Sequence, residues 1–404
     1  MLRQFKGQGD ERAKVMRAGR EQVGAELKLV QSIAEIGKAA WDACAGIDNP
    51  FLSYDFLHAL EEAGTVTART GWLPQHVVIT DDSKAVLAAV PLYLKGHSQG
   101  EYVFDHGWAH AFERAGGKYY PKLISAVPFT PVSGPRLLIH PDQNRSHVRD
   151  LLVAGLQEAV SAHDVSSLHL NFLPEEDWHA LGDHGFLQRL GLQYHWHNHG
   201  YQGFDDFLAD LASRKRKAIR KERREVSELD ITIRQATGDD IRPSDWDAFY
   251  QFYIDTSDRK WGSAYLNREF FQLLGERMAD QVLLVIAEQD GRPVAGALNL
   301  IGSDTLFGRN WGCIADFKFL HFEICFYQAI DFAIARGLKR VEAGAQGPHK
   351  IQRGYVPTYT HSAHFIPHQG FHQAVESFLA AERREMAAEK GYIEDNLPFR
   401  QVDR

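Results

Sequence analysis

The chain has 404 residues, more than one ordinary hydrophobic core contains, and this length indicates two to three domains. Its 44% hydrophobic and 24% charged residues are typical of a globular protein, and because no long apolar run or signal-peptide pattern is present, we expect a cytoplasmic protein without a transmembrane segment. The formal net charge of -8 argues against general nucleic-acid binding, DNA included, and the three cysteines lie far from CxxC spacing, which indicates neither a disulfide framework nor a structural zinc site.

The first half of the chain has the pattern of a mixed α/β unit that follows a polar extension. Residues 1–30 are polar and basic, and we interpret them as a loosely attached helical extension. Residues 96–135 are rich in glycine, proline and aromatic residues, which is typical of a long loop that lines a binding cleft. The other elements predicted here are helices at 31–45, 54–63 (capped by Ser53) and 148–162, and strands at 76–80, 85–94 and 167–172.

The second half repeats this order of helix, hairpin, helix and strand. The inferred duplication rests on element order, because no residue-level repeat is present. The elements predicted here are a basic helix at 208–226, helices at 246–257, 268–278 and 320–335, and strands at 231–235, 282–289, 293–301, 305–311 and 340–343.

Cationic charge is concentrated in residues 214–224, which contain eight lysines and arginines and one glutamate. Apolar residues around this segment recur at helical spacing, which predicts a helix over 208–226 with a thin apolar stripe and cations around the rest. Such a helix can hold the phosphates of a diphosphate, a coenzyme or a tRNA backbone, because Lys and Arg donate charge-assisted hydrogen bonds to phosphate oxygens. A solvated surface helix is the alternative interpretation.

Seven segments of the chain carry the features of a known family. They are 49–53 (NPFLS), 91–95 (PLYLK), 97–105 (HSQGEYVFD), 119–123 (YYPKL), 128–131 (PFTP), 134–136 (GPR) and 341–347 (VEAGAQG). With them the chain resembles, from about residue 31 to 385, the FemAB-like family of bacterial peptidoglycan-biosynthesis-type proteins within the Gcn5-related N-acetyltransferase (GNAT) superfamily.

The resemblance implies a mixed α/β sheet in two tandem GNAT-like acyltransferase folds. It places a first fold at 31–195 and a second fold at 196–385 that includes the basic helix; the polar extension at 1–30 and a C-terminal tail at 386–404 lie outside the resemblance. It also implies an acyltransferase that acts on an amine; in the Fem-type branch the donor is aminoacyl-tRNA and the acceptor is a peptidoglycan precursor. Because the family's cationic helix lies between the two folds and can hold phosphates, the phosphate-binding role falls by position to Lys215, Arg216 and Arg220.

Amine acylation needs a base for the amine proton and donors for the oxyanion that forms. Asp105 and His106, in the irregular first-half loop, are candidates for the base, and loop-stabilising hydrogen bonds are their alternative role. Glu323 is a second candidate near the start of the helix predicted at 320–335, where Arg309 and Trp311 would contact substrate. A favourable interaction with the helix dipole is the alternative role of Glu323.

A further candidate region follows the strand predicted at 340–343, where residues 342–350 read EAGAQGPHK. In open α/β sheets ligands favour the carboxyl ends of strands, and small residues let the backbone approach a substrate closely. A glycine turn with a solvated basic end is the alternative. On the functional interpretation Glu342 is catalytic, and the residues lining the cleft are Gln346, His349, Lys350 and Arg353.

The sequence also indicates which acyl donor the protein uses and whether it has a metal site. Residues 312–319 (GCIADFKF) contain one glycine and one carboxylate, unlike the glycine-rich pyrophosphate loop of coenzyme A acetyltransferases, so aminoacyl-tRNA is favoured over acyl-CoA and no tightly bound cofactor is expected. An acyl-CoA-dependent N-acyltransferase and a non-catalytic module that binds a precursor or tRNA are the alternatives. The histidines alternating at 195, 197 and 199 and the group at 361–372 lack Cys or carboxylate partners at zinc spacing, so no metal site is predicted.

Overall fold

The computed structural model of the protein describes residues 24–260, 264–315, 317–345 and 347–400. Within these ranges the chain forms a mixed α/β structure with one four-stranded and one eleven-stranded sheet. None of the helices in these ranges is both long enough and apolar enough to cross a membrane.

The strands account for both sheets. In chain order they are β1 (Glu26–Val30), β2 (Trp72–Pro74), β3 (His76–Thr80), β4 (Val86–Val90), β5 (Leu92–Lys95), β6 (Lys122–Ser125), β7 (Leu138–Ile139), β8 (Leu168–Leu173), β9 (Leu187–His197), β10 (Thr232–Ala236), β11 (Val282–Gln289), β12 (Arg292–Ile301), β13 (Thr305–Cys313), β14 (Arg340–Glu342) and β15 (Val356–Phe365).

The helices cover the faces of the sheets. In chain order they are α1 (Lys38–Ala45), α2 (Tyr54–Glu62), α3 (His106–Arg114), α4 (Arg145–His163), α5 (Glu175–Asp183), α6 (Phe204–Asp210), α7 (Ser213–Ser227), α8 (Pro243–Lys260), α9 (Arg268–Met278), α10 (Leu320–Phe322), α11 (Gln328–Ala335), which a π-helical turn (Glu323–Tyr327) joins to α10, and α12 (Gln369–Asp395).

The two halves of the chain exchange strands in the large sheet, whose order is β10-β11-β12-β13-β14-β9-β15-β8-β6-β5-β2. Strand β9, from the first half, lies between β14 and β15, and β15, from the second half, lies between β9 and β8. The division into two folds stays a prediction, but the predicted boundaries after residues 195 and 385 fall inside β9 and α12. The exchange places residues of both halves side by side at the middle of the sheet.

Several predicted elements are confirmed. Helix α2 begins after Ser53, whose hydroxyl accepts the Phe56 backbone N–H, and α9 and β11 have the predicted bounds. The apolar stretch predicted as one helix at 320–335 is helical throughout, with the π-helical turn in its middle. In each case a cap or a long, strongly periodic segment specifies the element locally.

The first-half predictions need four corrections. The strand predicted at 85–94 is two strands, β4 and β5, which lie in different sheets. Residues 26–30 form strand β1 rather than a helix, because they pair antiparallel with β3; residues 1–23 lie outside the described residues. The helix predicted at 31–45 begins at Lys38, after Gly37 with φ of 82°. The segment 96–135 is not a loop throughout, since it contains α3 and the fully buried strand β6, which pairs parallel with β8.

The predicted basic helix is two helices rather than one. Leu211 has extended backbone angles and forms an isolated β-bridge with Phe399, while the Ala212 N–H donates to the Pro398 carbonyl. These long-range backbone bonds interrupt the helix between α6 and α7. The apolar stripe of α7 is confirmed, because Ile219 and Val226 are buried in the second-half core.

Candidate active site

The parallel pairing of strands β13 and β14 ends partway along β13, and the place beyond their last paired residues is called the gap. The two strands pair in parallel over three residues, ending with Phe307 opposite Glu342. Strand β14 ends there, whereas β13 continues and carries a β-bulge: Leu298 faces Asn310 and Asn299 faces Gly308, which leaves Arg309 as the extra residue. A bulge re-aims the side chain of its extra residue, and bulges are common beside active sites. Glu342 and Arg309 therefore lie at the edge of the gap.

The first half of the chain supplies the facing wall of this gap. The ring of Phe51 lies 5.5 Å from that of Phe307 and 5.7 Å from the Arg309 guanidinium. The Asn49 side-chain amide donates to the Ser133 carbonyl at 3.0 Å, which ties the wall together. The segments at 49–53, 128–136 and 341–347, distant in sequence, thus converge on one place.

Glu342 is a buried carboxylate with no cation at hydrogen-bond distance among the described residues. It is 4% exposed; the Arg340 Nε lies 3.7 Å from its Oε1, and the His195 Nδ1 lies 4.0 Å from the same atom. Burial raises the pKa of Glu342 to about 7, although Arg340 and Arg309 act in the opposite direction. A carboxylate with such a pKa can accept a proton at neutral pH and release it again.

His195 and Gln193 complete the surroundings of Glu342, and the sequence analysis did not assign them to the site. His195 lies directly opposite Glu342 in the β9–β14 pairing, and its Nε2 is 3.1 Å from the Gln193 Oε1. The Gln193 amide nitrogen in turn donates to the Pro131 carbonyl at 2.8 Å. The alternating histidines were the available signal, but they suggested only a metal site; pairing with β14 is what brings His195 to a carboxylate.

Lys350, predicted to line the cleft, follows β14 in the chain. It is buried, and its Nζ donates to the Gly344 carbonyl at 3.0 Å, which closes the turn after β14. Burial and the neighbouring Arg309 lower the pKa of Lys350 to about 8. Lys350 and Arg309 give this end of the cleft a positive potential, which suits an oxyanion or another anionic group.

Rings assemble beside the start of α10. Trp311 contacts His321, with ring centroids 4.8 Å apart, and the ring of His349 lies 5.7 Å from that of Phe326. Burial, Lys350 and Arg353 lower the pKa of His349. Trp311 and His349 both lie beside His321, whose ring centroid is 6.1 Å from that of His349, whereas Gln346 lies outside the described residues.

Arg353 and Glu323 instead form ion pairs that hold helix α7 against the rest of the second half. Arg353 donates to both carboxylate oxygens of Glu222 at 2.9 Å. Glu323 accepts from Arg223 at 3.0 Å and from Gln328 at 2.8 Å. These contacts occupy both side chains, so the geometry favours a positioning role for Glu323 over a catalytic one.

Asp105 and His106 do not come together. The Asp105 carboxylate is buried and bonded to Lys122, and it accepts the Tyr119 hydroxyl at 2.5 Å, whereas His106 is exposed. Burial raises the pKa of Asp105, but Lys122 outweighs it and holds that pKa below the usual value. A carboxylate so stabilised is a weak base, which favours the structural role for Asp105.

On helix α7, the three predicted phosphate-binding residues already have protein partners. Lys215 contacts the Gln352 side chain, Arg216 donates to the Ala209 carbonyl at 3.4 Å, and Arg220 donates to Asp205 at 3.0 Å. Four other exposed cations recur at spacings of three and four residues and so lie along one face of the helix. They are Arg214, Lys217, Lys221 and Arg224.

Comparison with solved structures supports the mixed α/β fold. FemX matches with 10% identity and a TM-score of 0.51 over 86% of this chain and 100% of that one. The C-terminal domain of a protein from Agrobacterium fabrum described as a putative lysylphosphatidylglycerol synthetase matches with 10% identity and a TM-score of 0.53, over 86% and 96% of the two chains. A tandem GNAT protein from the clavulanic acid pathway matches with 11% identity and a TM-score of 0.46, over 85% and 98%.

Family comparison extends over nearly the whole chain. No curated protein sequence matches significantly. The FemAB-like family model, described as peptidoglycan biosynthesis/recognition, matches residues 32–401. The predicted family and the mixed α/β fold are thereby confirmed. The chain belongs to the FemAB-like family.

Proposed function

We propose that the protein transfers an acyl or aminoacyl group to an amine of a phosphate-bearing acceptor such as a peptidoglycan precursor, with Glu342 as the base. The observation that carries this proposal is the buried Glu342 carboxylate, with a pKa of about 7, at the point where β13 and β14 separate. The N–H proton must leave the attacking amine, and a base near neutral pKa is best suited to take it at physiological pH.

The proposed reaction has a simple balance of bonds and protons. The amine nitrogen forms a bond to the acyl carbon, and the bond from that carbon to the leaving oxygen of an ester donor breaks. Glu342 takes the N–H proton and returns it to the leaving oxygen. Arg309, at the bulge beside Glu342, supplies positive charge near the oxyanion that develops between these steps.

Aminoacyl-tRNA is the favoured donor. The exposed cations of α7 run along about 15 Å of helix, from Arg214 to Arg224, at a rise of about 1.5 Å per residue. A line of cations suits a phosphate backbone better than a single phosphate, which needs donors that converge on one point. The contacts from Glu222 and Arg223 to Arg353 and Glu323 hold this helix against the half that contains Glu342.

Ligand-dependent stabilisation separates the candidate donors and acceptors. The purified protein is heated with coenzyme A, acetyl-CoA, an aminoacyl-tRNA pool, the same tRNA deacylated, and a UDP-linked muramyl pentapeptide. A ligand present at about a hundredfold its Kd stabilises the folded state by about 2.7 kcal/mol. We expect stabilisation by the tRNA and by the muramyl precursor, followed by formation of a new amide bond, detected by mass spectrometry, when both are mixed.

Two outcomes would contradict the proposal. Stabilisation by coenzyme A alone would make the protein an acyl-CoA-dependent N-acyltransferase. Binding of precursor and tRNA without any amide product would make it a non-catalytic recognition module, because a fold can outlive its chemistry. Glu342→Gln serves as the control in the transfer reaction, since it keeps the shape of the side chain and removes the base.

A further inference from the structure

A chain of three polar contacts leads from the first half of the protein to Glu342. The Gln193 Nε2 lies 2.8 Å from the Pro131 carbonyl oxygen, the Gln193 Oε1 lies 3.1 Å from the His195 Nε2, and the His195 Nδ1 lies 4.0 Å from the Glu342 Oε1. All three side chains are buried, so these contacts are shielded from water. Hydrogen-bond chemistry alone determines which ring nitrogen of His195 carries the proton in this series of contacts.

The Pro131 carbonyl fixes the orientation of the Gln193 amide. A carbonyl oxygen only accepts hydrogen bonds, so the Gln193 atom that faces it must be the NH₂ group. The Gln193 oxygen therefore faces His195, and this oxygen also only accepts. The His195 Nε2 must then carry the proton, which leaves Nδ1 of the neutral ring with a lone pair.

The unprotonated His195 Nδ1 lies 4.0 Å from the Glu342 Oε1, about 1 Å beyond hydrogen-bond distance. If Nδ1 carried a proton, an approach of about 1 Å would let it donate to the carboxylate and stabilise its charged form. With the proton on Nε2, the same approach lets Nδ1 accept from the protonated carboxyl instead. The orientation of a distant amide thus decides which protonation state of Glu342 the histidine favours.

We propose that His195 is a positioning residue that Gln193 locks in the Nε2–H tautomer, so that Nδ1 accepts a hydrogen bond from Glu342 whenever Glu342 holds the substrate's proton. This inference rests on the proposed role of Glu342 as the base and adds to it the means by which the protonated base is held. It also gives a role to Gln193, which touches neither Glu342 nor the gap directly.

Other ionisable groups surround the pair. Those that face Glu342 or His195 from the neighbouring elements are Arg340, Arg309, Asp304, His197 and Lys350. Burial first, and then the cations Arg340 and Lys350, lower the pKa of His195 to about 3. The ring therefore stays neutral at physiological pH, which the tautomer argument requires.

The tautomer can be read directly, without any substrate. Long-range nitrogen–proton NMR on the [¹⁵N]histidine-labelled full chain distinguishes a protonated from an unprotonated ring nitrogen, and comparison with His195→Gln assigns the His195 signals. We expect the Nε2–H form in the wild type. In Gln193→Leu the lock is absent, and we expect a substantial fraction of Nδ1–H.

A matched control lies on the same strand. The Gln188 side chain also donates to a backbone carbonyl, that of Trp178 at 3.0 Å, so Gln188→Leu makes the same change away from His195. We expect the control to keep the wild-type tautomer. A wild-type ring protonated at Nδ1, or an unchanged tautomer in folded Gln193→Leu, would overturn the proposal.

The dependence of transfer on pH supplies the second measurement. Gln193→Leu permits an Nδ1–H donor that stabilises the Glu342 carboxylate, and His195→Gln removes the Nδ1 acceptor of the protonated form. We therefore expect both variants to shift the acidic limb of the pH profile of kcat toward lower pH by about one unit, a tenfold change in the proton affinity of Glu342. An unshifted limb in both variants would contradict the proposal. If the tautomers are as expected but no amide forms with any donor, the proposed tautomer of His195 is supported and the proposed function is contradicted.

Discussion

The protein contains two buried clusters of ionisable side chains, and their comparison shows what distinguishes a candidate base from a structural carboxylate. In the first half, Lys122 lies 2.7 Å from Glu101 and also contacts Asp105. In the second half, the nearest cationic atom to Glu342 is the Arg340 Nε at 3.7 Å among the described residues. Both clusters are shielded from water. They differ in how closely each carboxylate is paired with a cation and in whether a substrate can reach it.

A raised pKa does not by itself separate the clusters. Burial raises the pKa of Glu101 to about 7, as it does for Glu342. Glu101, however, has the Lys122 ammonium at hydrogen-bond distance and is enclosed by side chains that are themselves buried. Glu342 instead adjoins the half-buried Arg309 and Ala343 at the separation of two strands. Access to a substrate, together with the pKa, identifies the base.

The largest expected effect is on catalysis. We expect Glu342→Gln to lower kcat about 10²- to 10⁴-fold, the usual contribution of a general base, while ligand affinity stays close to that of the wild type. Glu101→Gln is the matched control, because it makes the same change at an equally buried glutamate. We expect it to keep the wild-type dependence of kcat on pH. Equal losses of kcat in the two variants would remove the distinction between the clusters.

The next effect is on stability and concerns the first cluster. Lys122→Met removes the partner of two buried carboxylates, and breaking a buried ion pair on one side costs about 3–5 kcal/mol. Urea unfolding of the variant checks this value. Lys84→Met, which removes an exposed partner of Glu26, is the control and should cost less than about 1 kcal/mol. A loss for Lys122→Met as small as that of the control would mean that the first cluster is not held by its ion pairs.

The sequence predicts local elements better than it predicts the site. Helix α2 follows from the Ser53 cap and α9 from its apolar periodicity, because both signals act within a few residues. The strand exchange between β9 and β15 joins residues more than 150 positions apart, such as His195 and Val356, and no local pattern specifies such a register.

The same contrast between local signals and long-range packing applies to the candidate site. Glu342, Lys350 and Arg309 lie in or shortly after predicted strands, and the structure places Arg309 near the other two. Asp105 and His106 are neighbours in sequence, but one side chain is buried and the other exposed. Adjacent positions at a helix start point in different directions, so adjacency in sequence is a poor guide to a shared site.

The smallest effect concerns the exposed cations of α7. If they bind a phosphate backbone, replacing Arg214, Lys217, Lys221 and Arg224 together by Gln reduces the slope of log affinity against log salt by about 0.7 to 0.9 for each phosphate that these side chains neutralise. Filter binding of tRNA at several salt concentrations measures this slope. The control replaces four exposed cations elsewhere, Arg69, Arg292, Arg336 and Lys339, and should leave the slope unchanged. Equal slopes for the two quadruple variants would show that α7 is a solvated surface helix.

The central claim is that Glu342 is a buried carboxyl with a raised pKa, and the pH dependence of folding tests it without any substrate. A carboxyl whose pKa rises from 4.5 in the unfolded chain to about 7 in the folded protein binds more protons when folded, so its contribution to stability is present below pH 4.5 and is lost as the pH rises through 7. This difference corresponds to about 3 kcal/mol.

The measurement is urea unfolding of the wild type and of Glu342→Gln between pH 4.5 and 8. Because the two proteins share every other titrating group, the difference between their free energies of unfolding isolates Glu342. The predicted result is that Glu342→Gln becomes more stable relative to the wild type by about 3 kcal/mol as the pH rises across this range. A difference that does not change with pH would show that Glu342 has an ordinary pKa and would contradict its role as the base.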